Sequence, residues 1–280
     1  MGSTPTPLTP CTQRVGFRGY IGLKKIDRLC ARVWRARGLR KDKEMINNER
    51  DEYIFWILSK LNCARVVDIC WLAGFTDITY TRKKLLRLVR AGFIGYYVID
   101  GYKCYYLLNK GMREIGQYGR VYEKSYTTYH VLEVARVCTW LYVSKGVSFE
   151  DCYTDKRLVT LFQDKNTHRP DIMCGKKVYE VERTVKALDR LKKNIEANRA
   201  YEKQVWLMPE RKIQLKKNIQ LIAERYGINN VEVLSLEQVE TEVEKADVHK
   251  NMFRPKKTLE EIKIEVHTKN DKLSKYFGRD

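Results

Sequence analysis

Several patterns that would tie a chain to one chemistry are missing here. The cysteines at 11, 30, 63, 70, 104, 138, 152 and 174 contain no Cys-x-x-Cys pair, and His130, His168, His249 and His267 are scattered, so zinc-ligand spacing is absent. There is no His-x-His pair, which disfavours strand cutting through a tyrosine and a histidine-bound metal. Nor is there a Gly-x-x-x-x-Gly-Lys-Ser/Thr run, so ATP-driven work is unsupported. No uncharged stretch approaches the ~18 residues that a membrane span needs. The opening MGSTPTPLTP is polar and carries prolines, unlike a signal peptide, and no lipidation signal is visible. These absences point to a soluble, cytoplasmic chain whose thiols are reduced and mostly buried, with no membrane partner.

Acidic residues are also in short supply. Thirty-five Asp plus Glu face 54 Lys plus Arg, a formal charge of +19 and a pI near 9.5. An excess of this size attracts polyanions, nucleic acid foremost; an ordinary protein with a basic surface is the alternative. Hydrophobic residues make up 44% of 280, enough for a buried core and for about two domains.

Residues 1–17 read as an arm and 18–40 as a helix with Leu23, Ile26, Cys30, Val33 and Trp34 on one stripe. Its basic surround is either a DNA-backbone arm or a solvated face. From 50 to 119 the periodicity changes character repeatedly. Ile54, Phe55, Ile57, Leu58 and Leu61 predict a first helix, residues 63–73 a second, ended by Gly74. The stretch TDITYTRKKLLRLVRAG predicts a third. Ile78, Leu85, Leu88 and Val89 should face inward on it, and Arg82, Lys83, Lys84, Arg87 and Arg90 outward, with no acid among them. Two aromatic and β-branched runs around Asp100-Gly101 then predict a hairpin. Helix, helix, basic helix and hairpin is the order of a winged helix-turn-helix, whose third helix enters the major groove of duplex DNA while the hairpin lies along the backbone. Lys103 on that hairpin joins the five helix cations as a candidate DNA contact. Tyr96, Tyr97, Tyr105 and Tyr106 read as cross-strand packing pairs.

The second half opens with a predicted helix over 128–143, followed by a strand near 157–162. Strands over 171–173 and 178–184 flank a turn at 174–177; then come a helix over 186–201, a strand over 203–208, a helix over 211–226 and a strand over 231–234. This alternation predicts an α/β unit with a mixed sheet. Strand side chains alternate, so Glu180 and Glu182 share one face opposite Tyr179 and Val181. Two carboxylates on a covered face need a compensating cation, and Asp171 lies across the tight turn to join them. Three oxygen donors suit Mg²⁺; a solvent-facing edge strand with a Glu–Lys network is the alternative.

At these residues the chain resembles a known pattern. Arg169-Pro170-Asp171, a short hairpin, and Glu180-Val181-Glu182-Arg183-Thr184-Val185-Lys186 look like the PD-(D/E)xK nuclease core. With the winged helix upstream, residues 48–236 resemble the replication-relaxation family of plasmids and integrative elements. The position two after Glu180 is usually Lys in that core, and here it is Glu182. The resemblance implies Asp171 and Glu180 as ligands of Mg²⁺ or Mn²⁺, Glu182 as the residue that positions water, and Lys186 as the cation that steadies the phosphate. His168 reads as a packing residue, with a phosphate contact as the alternative.

The expected organisation is therefore a basic arm and helix over 1–47, a winged helix-turn-helix over 48–120, an α/β nuclease-like domain over 125–240, and a charged tail over 241–280. Two functions remain open. One is a metal-dependent DNA endonuclease or nickase, relaxase-like, acting in plasmid replication or conjugative transfer. The other is an inactive DNA-binding accessory or initiator protein. The expected partner is double-stranded DNA, such as an origin of replication or transfer, and a homodimer is compatible with either.

Overall fold

A computed structural model describes residues 49–154, 158, 168–184 and 186–246, all within one compact unit. The helix expected over 18–40, most of the strand expected over 157–162, and the tail from 247 onward lie outside the described residues. The architecture is α+β: helices surround a three-stranded antiparallel sheet and a mixed five-stranded one.

Helix α1 (Glu49–Leu61) carries Glu49, Asp51 and Glu52 in its first turn and Lys60 in its last, a charge order that suits the helix dipole. Ile54, Phe55, Ile57, Leu58 and Leu61 are buried along it. Next comes a short strand, β1 (Cys63–Arg65), where the sequence pattern predicts the start of a helix; helix α2 (Val66–Leu72) begins only after it. The cause is tertiary. Cys63, Ala64 and Arg65 pair with Tyr106, Tyr105 and Cys104 far along the chain, and no local pattern announces that partner.

Helix α3 (Ile78–Arg90) starts at Asp77, whose carboxylate accepts the Thr79 N–H at 2.6 Å. Strands β2 (Ile94–Ile99) and β3 (Tyr102–Leu107) follow as a hairpin. Its two turn residues, Asp100 and Gly101, both hold positive φ, 50° and 78°, as a tight turn matched to strand twist requires. Gly95 sits opposite Tyr106, whose ring would be 2.5 Å from any Cβ placed there. The tyrosines do pack as cross-strand partners: Tyr97 stacks on Tyr106 with centroids 4.5 Å apart, and Tyr96 tilts against Tyr105 at 6.0 Å. A short helix, α4 (Asn109–Glu114), ends this region.

Helix α5 (Thr128–Lys145) has Leu132, Val134, Ala135, Val137, Cys138, Trp140 and Leu141 buried, apolar on nearly all sides, as a helix covered by protein must be. It packs against β1 and α2 on one hand and against the strand Lys177–Val181 of a larger sheet on the other. Asp68 of α2 is fully buried and ties the two parts together, 3.3 Å from Arg136 of α5, 3.5 Å from Arg65, and accepting the Thr139 hydroxyl at 3.3 Å.

The larger sheet runs β4 (Cys152–Thr154), β5 (Ile172–Cys174), β6 (Lys177–Val181), β7 (Lys203–Met208) and β8 (Val231–Ser235), in that order. The first three are antiparallel neighbours and the last three parallel. Helices α6 (Leu188–Ala197) and α7 (Ile213–Arg225) cover one face, where Leu191, Ile195, Trp206, Met208, Leu215 and Ile219 form an apolar cluster. Each large side chain buried there contributes roughly 1.5–3 kcal/mol. Helix α8 (Leu236–Lys245) packs along α5, its first turn capped by the Ser235 hydroxyl.

Candidate functional site

Two groups of residues stand out, one cationic and one acidic. On α3, Arg82, Lys83, Arg87 and Arg90 are exposed. Among the described residues Arg82, Lys83 and Arg87 make no ion pair with a carboxylate. Lys84, expected to point outward with them, does not. It is buried, and its ammonium lies 2.7 and 2.9 Å from the two carboxylate oxygens of Asp51 on α1. Successive helical residues turn by 100°, and Lys84 falls beside Leu85 and Leu88 on the stripe that meets α1. The hairpin extends the cationic surface: Lys103 is exposed, its ammonium 4.5 Å from the centre of the Tyr96 ring. Between α3 and the hairpin lies a cavity of about 630 Å³, with Arg82, Tyr102 and Lys103 on its walls and Glu240 and Glu244 of α8 opposite. Glu240 is already engaged, 3.4 Å from Arg65 and 3.1 Å from Arg136, so it subtracts little from the positive field.

The acidic group gathers where β5 begins and β6 ends. Asp171 immediately precedes β5, and Glu180 is the penultimate residue of β6. The Val181 N–H donates to Asp171 Oδ2 at 2.7 Å, and His130 Nε2 of α5 lies 3.0 Å from Asp171 Oδ1. Glu180 is buried; its Oε1 is 2.6 Å from His168 Nε2 and accepts from the Asn198 amide at 2.8 Å. Glu182 is buried as well, pinned through its own N–H to the Leu207 carbonyl at 2.8 Å. Its Oε1 accepts from the Thr184 N–H and hydroxyl, both at 3.3 Å, and its Oε2 pairs with Lys186.

Electrostatics follow from this crowding. Burial is the largest influence on Glu180 and lifts its carboxyl above the ordinary range; the His168 hydrogen bond opposes that shift and the Asp171 charge adds to it. Burial pulls His130 down, but the hydrogen bond and charge of Asp171, with Glu133 and Glu182 nearby, outweigh it and leave the imidazole raised. Glu133 on α5 is pushed up to about 7 by burial, against the pull of Arg183, His130 and Arg65.

The expected site residues are thus brought together: Asp171, Glu180, Glu182 and Lys186 all belong to this cluster. His168, read as a packing residue, and His130 and Asn198, which the sequence did not single out, complete it. The resemblance implies a magnesium ion at these acids, and in this arrangement each of them meets groups of the protein. Both oxygens of Asp171 and of Glu182, and Oε1 of Glu180, are taken up by protein donors. Among the described residues no group of three or more His, Cys, Asp or Glu is arranged to hold a metal. The cluster does reach toward the hairpin. Arg183 is 3.2 Å from Glu133 and its guanidinium lies 4.9 Å from the Tyr129 ring centre, while the Tyr129 hydroxyl donates to Asp100 at the hairpin tip at 2.9 Å.

Compared with protein-family models, curated proteins and solved structures, the chain matches none of them.

Proposed function

We propose that this protein binds double-stranded DNA, with α1, α2, α3 and the β2–β3 hairpin acting as a winged helix. The observation that carries the reading is the outer face of α3, where Arg82, Lys83 and Arg87 are exposed without a described carboxylate partner beside a hairpin that carries Lys103. Cations held this way stay hydrated and mobile until they neutralise phosphates and release the counterions condensed on the DNA, a major source of affinity for duplex DNA. The mixed sheet is then a PD-(D/E)xK-like scaffold whose acids are committed to internal partners, and the protein acts as a binding or initiator component. In the setting implied by the replication-relaxation resemblance, its target is an origin of replication or transfer on a mobile element.

A second reading, metal-dependent nicking, is favoured by one specific observation: Asp171, Glu180, Glu182 and Lys186 converge at one sheet end, which Arg183 and Tyr129 connect to the hairpin tip. One experiment separates the two. The full chain is incubated with supercoiled plasmid carrying candidate origins, with Mg²⁺ or Mn²⁺, beside Asp171→Ala and Glu180→Ala. Salt-sensitive duplex binding without nicking is expected. Metal-dependent nicking that disappears in both variants would replace the first reading with the second, and absence of duplex binding at low salt would remove both.

A further inference from the structure

A cluster of thiols lies apart from both groups of residues. Cys152 and Cys174 face each other in register across the antiparallel pair β4–β5, and the Cys174 thiol donates to Cys152 Sγ at 3.1 Å. Cys138, from α5, is buried close to Cys152. All three are buried, but Cys174 borders a cavity of about 1090 Å³ floored by Trp140, Tyr153 and Tyr179. Opposed residues of an antiparallel pair have Cα atoms about 4.5–5.5 Å apart, inside the ~4.4–6.8 Å window that a disulfide accepts. The other neighbouring thiols, Cys63 and Cys104, are diagonal rather than opposed, since Cys104 faces Arg65.

We propose that Cys152 and Cys174 form a reversible oxidation site, at which a peroxide entering through this cavity converts the two thiols to a disulfide. Of the two residues, Cys174 is the one that lines the cavity. It attacks one peroxide oxygen; the O–O bond breaks, an S–O bond forms, and the departing hydroxide takes the thiol proton to leave as water. Cys152 then attacks the Cys174 sulfenic acid. An S–S bond forms, the S–O bond breaks, and the second hydroxide leaves as water with the Cys152 proton. Two thiols are oxidised by two electrons in all, and one peroxide is reduced to two waters. Cys152 is suited to the second attack. Its Sγ already lies 3.1 Å from the Cys174 sulfur, within reach of the sulfenic acid that forms there.

The test uses the full-length chain. After mild hydrogen peroxide treatment, remaining thiols are alkylated in denaturant and counted, and the digest is mapped by mass spectrometry without reduction. The chain should lose two of its eight thiols, yield a cross-linked peptide joining Cys152 to Cys174, and recover both thiols with dithiothreitol. Cys152→Ser and Cys174→Ser should each abolish that peptide, while Cys138→Ser retains it. The wild-type map stands even if a variant fails to fold. Eight alkylated thiols after peroxide, a link between Cys63 and Cys104 in its place, or a Cys152–Cys174 link formed only in urea would overturn the proposal.

Discussion

On the outer face of α3 Arg82, Lys83 and Arg87 stand in water, while at the end of the five-stranded sheet the carboxylates of Asp171, Glu180 and Glu182 already meet histidine, amide, hydroxyl or ammonium groups of the same chain. The two regions differ in what their charges are for. An exposed, unpaired cation adds little to folding and is available to a partner. A buried carboxylate without partners would be costly, so its partners are part of the fold. Lys84 marks the boundary, because it belongs by sequence to the first region and by structure to the second.

The largest expected effect lies at that boundary. Lys84→Met or Asp51→Asn removes one half of a buried ion pair and should cost about 3–5 kcal/mol of stability in urea denaturation. Asp51→Leu combined with Lys84→Met should restore most of it. A Lys84→Met chain as stable as the parent would erase the distinction between the two regions. Next in size, Arg82→Ala, Lys83→Ala and Arg87→Ala together should weaken duplex binding roughly 10- to 100-fold near physiological salt and reduce the slope of log K against log salt by about 2–3. Fluorescence anisotropy across a salt series reads both, and an unchanged slope would remove α3 from the interface.

A smaller effect comes from Glu133. Its carboxyl titrates near 7 when folded against an ordinary 4.5, so between those values the folded chain holds a proton that the unfolded chain has released. Stability from this group is therefore present at the lower end and lost as pH climbs through about 7. Glu133→Gln should flatten that part of the profile, and an equally steep decline in the variant would show that the slope arises elsewhere. The smallest expected change is at the hairpin: Lys103→Ala should reduce duplex affinity roughly threefold and the salt slope by about 1.

Much of the order of elements was legible along the chain. The β2–β3 hairpin was readable because Asp100-Gly101 supplies the one turn chemistry that tolerates two positive φ values. Strand β7 has the bounds its apolar run predicts, and α3 begins where Asp77 can cap it. Strand β1 was not readable: three residues carry no period, and their pairing with β3 is non-local. The acid cluster was half readable. The spacing of Asp171, Glu180 and Glu182 suggested convergence, but His130 comes from α5 and Asn198 from the turn after α6, so neither has a fixed offset from the acids.

The sequence by itself determined the charge balance, the periods of helix and strand, the tight turns and the presence of an acidic sheet end, because each depends on neighbours a few positions apart. Tertiary structure alone decided that Lys84 turns inward to Asp51, that two histidines occupy the carboxylates, and that Cys152 faces Cys174. Those outcomes depend on which distant group fills a low-dielectric space, and local spacing does not encode it.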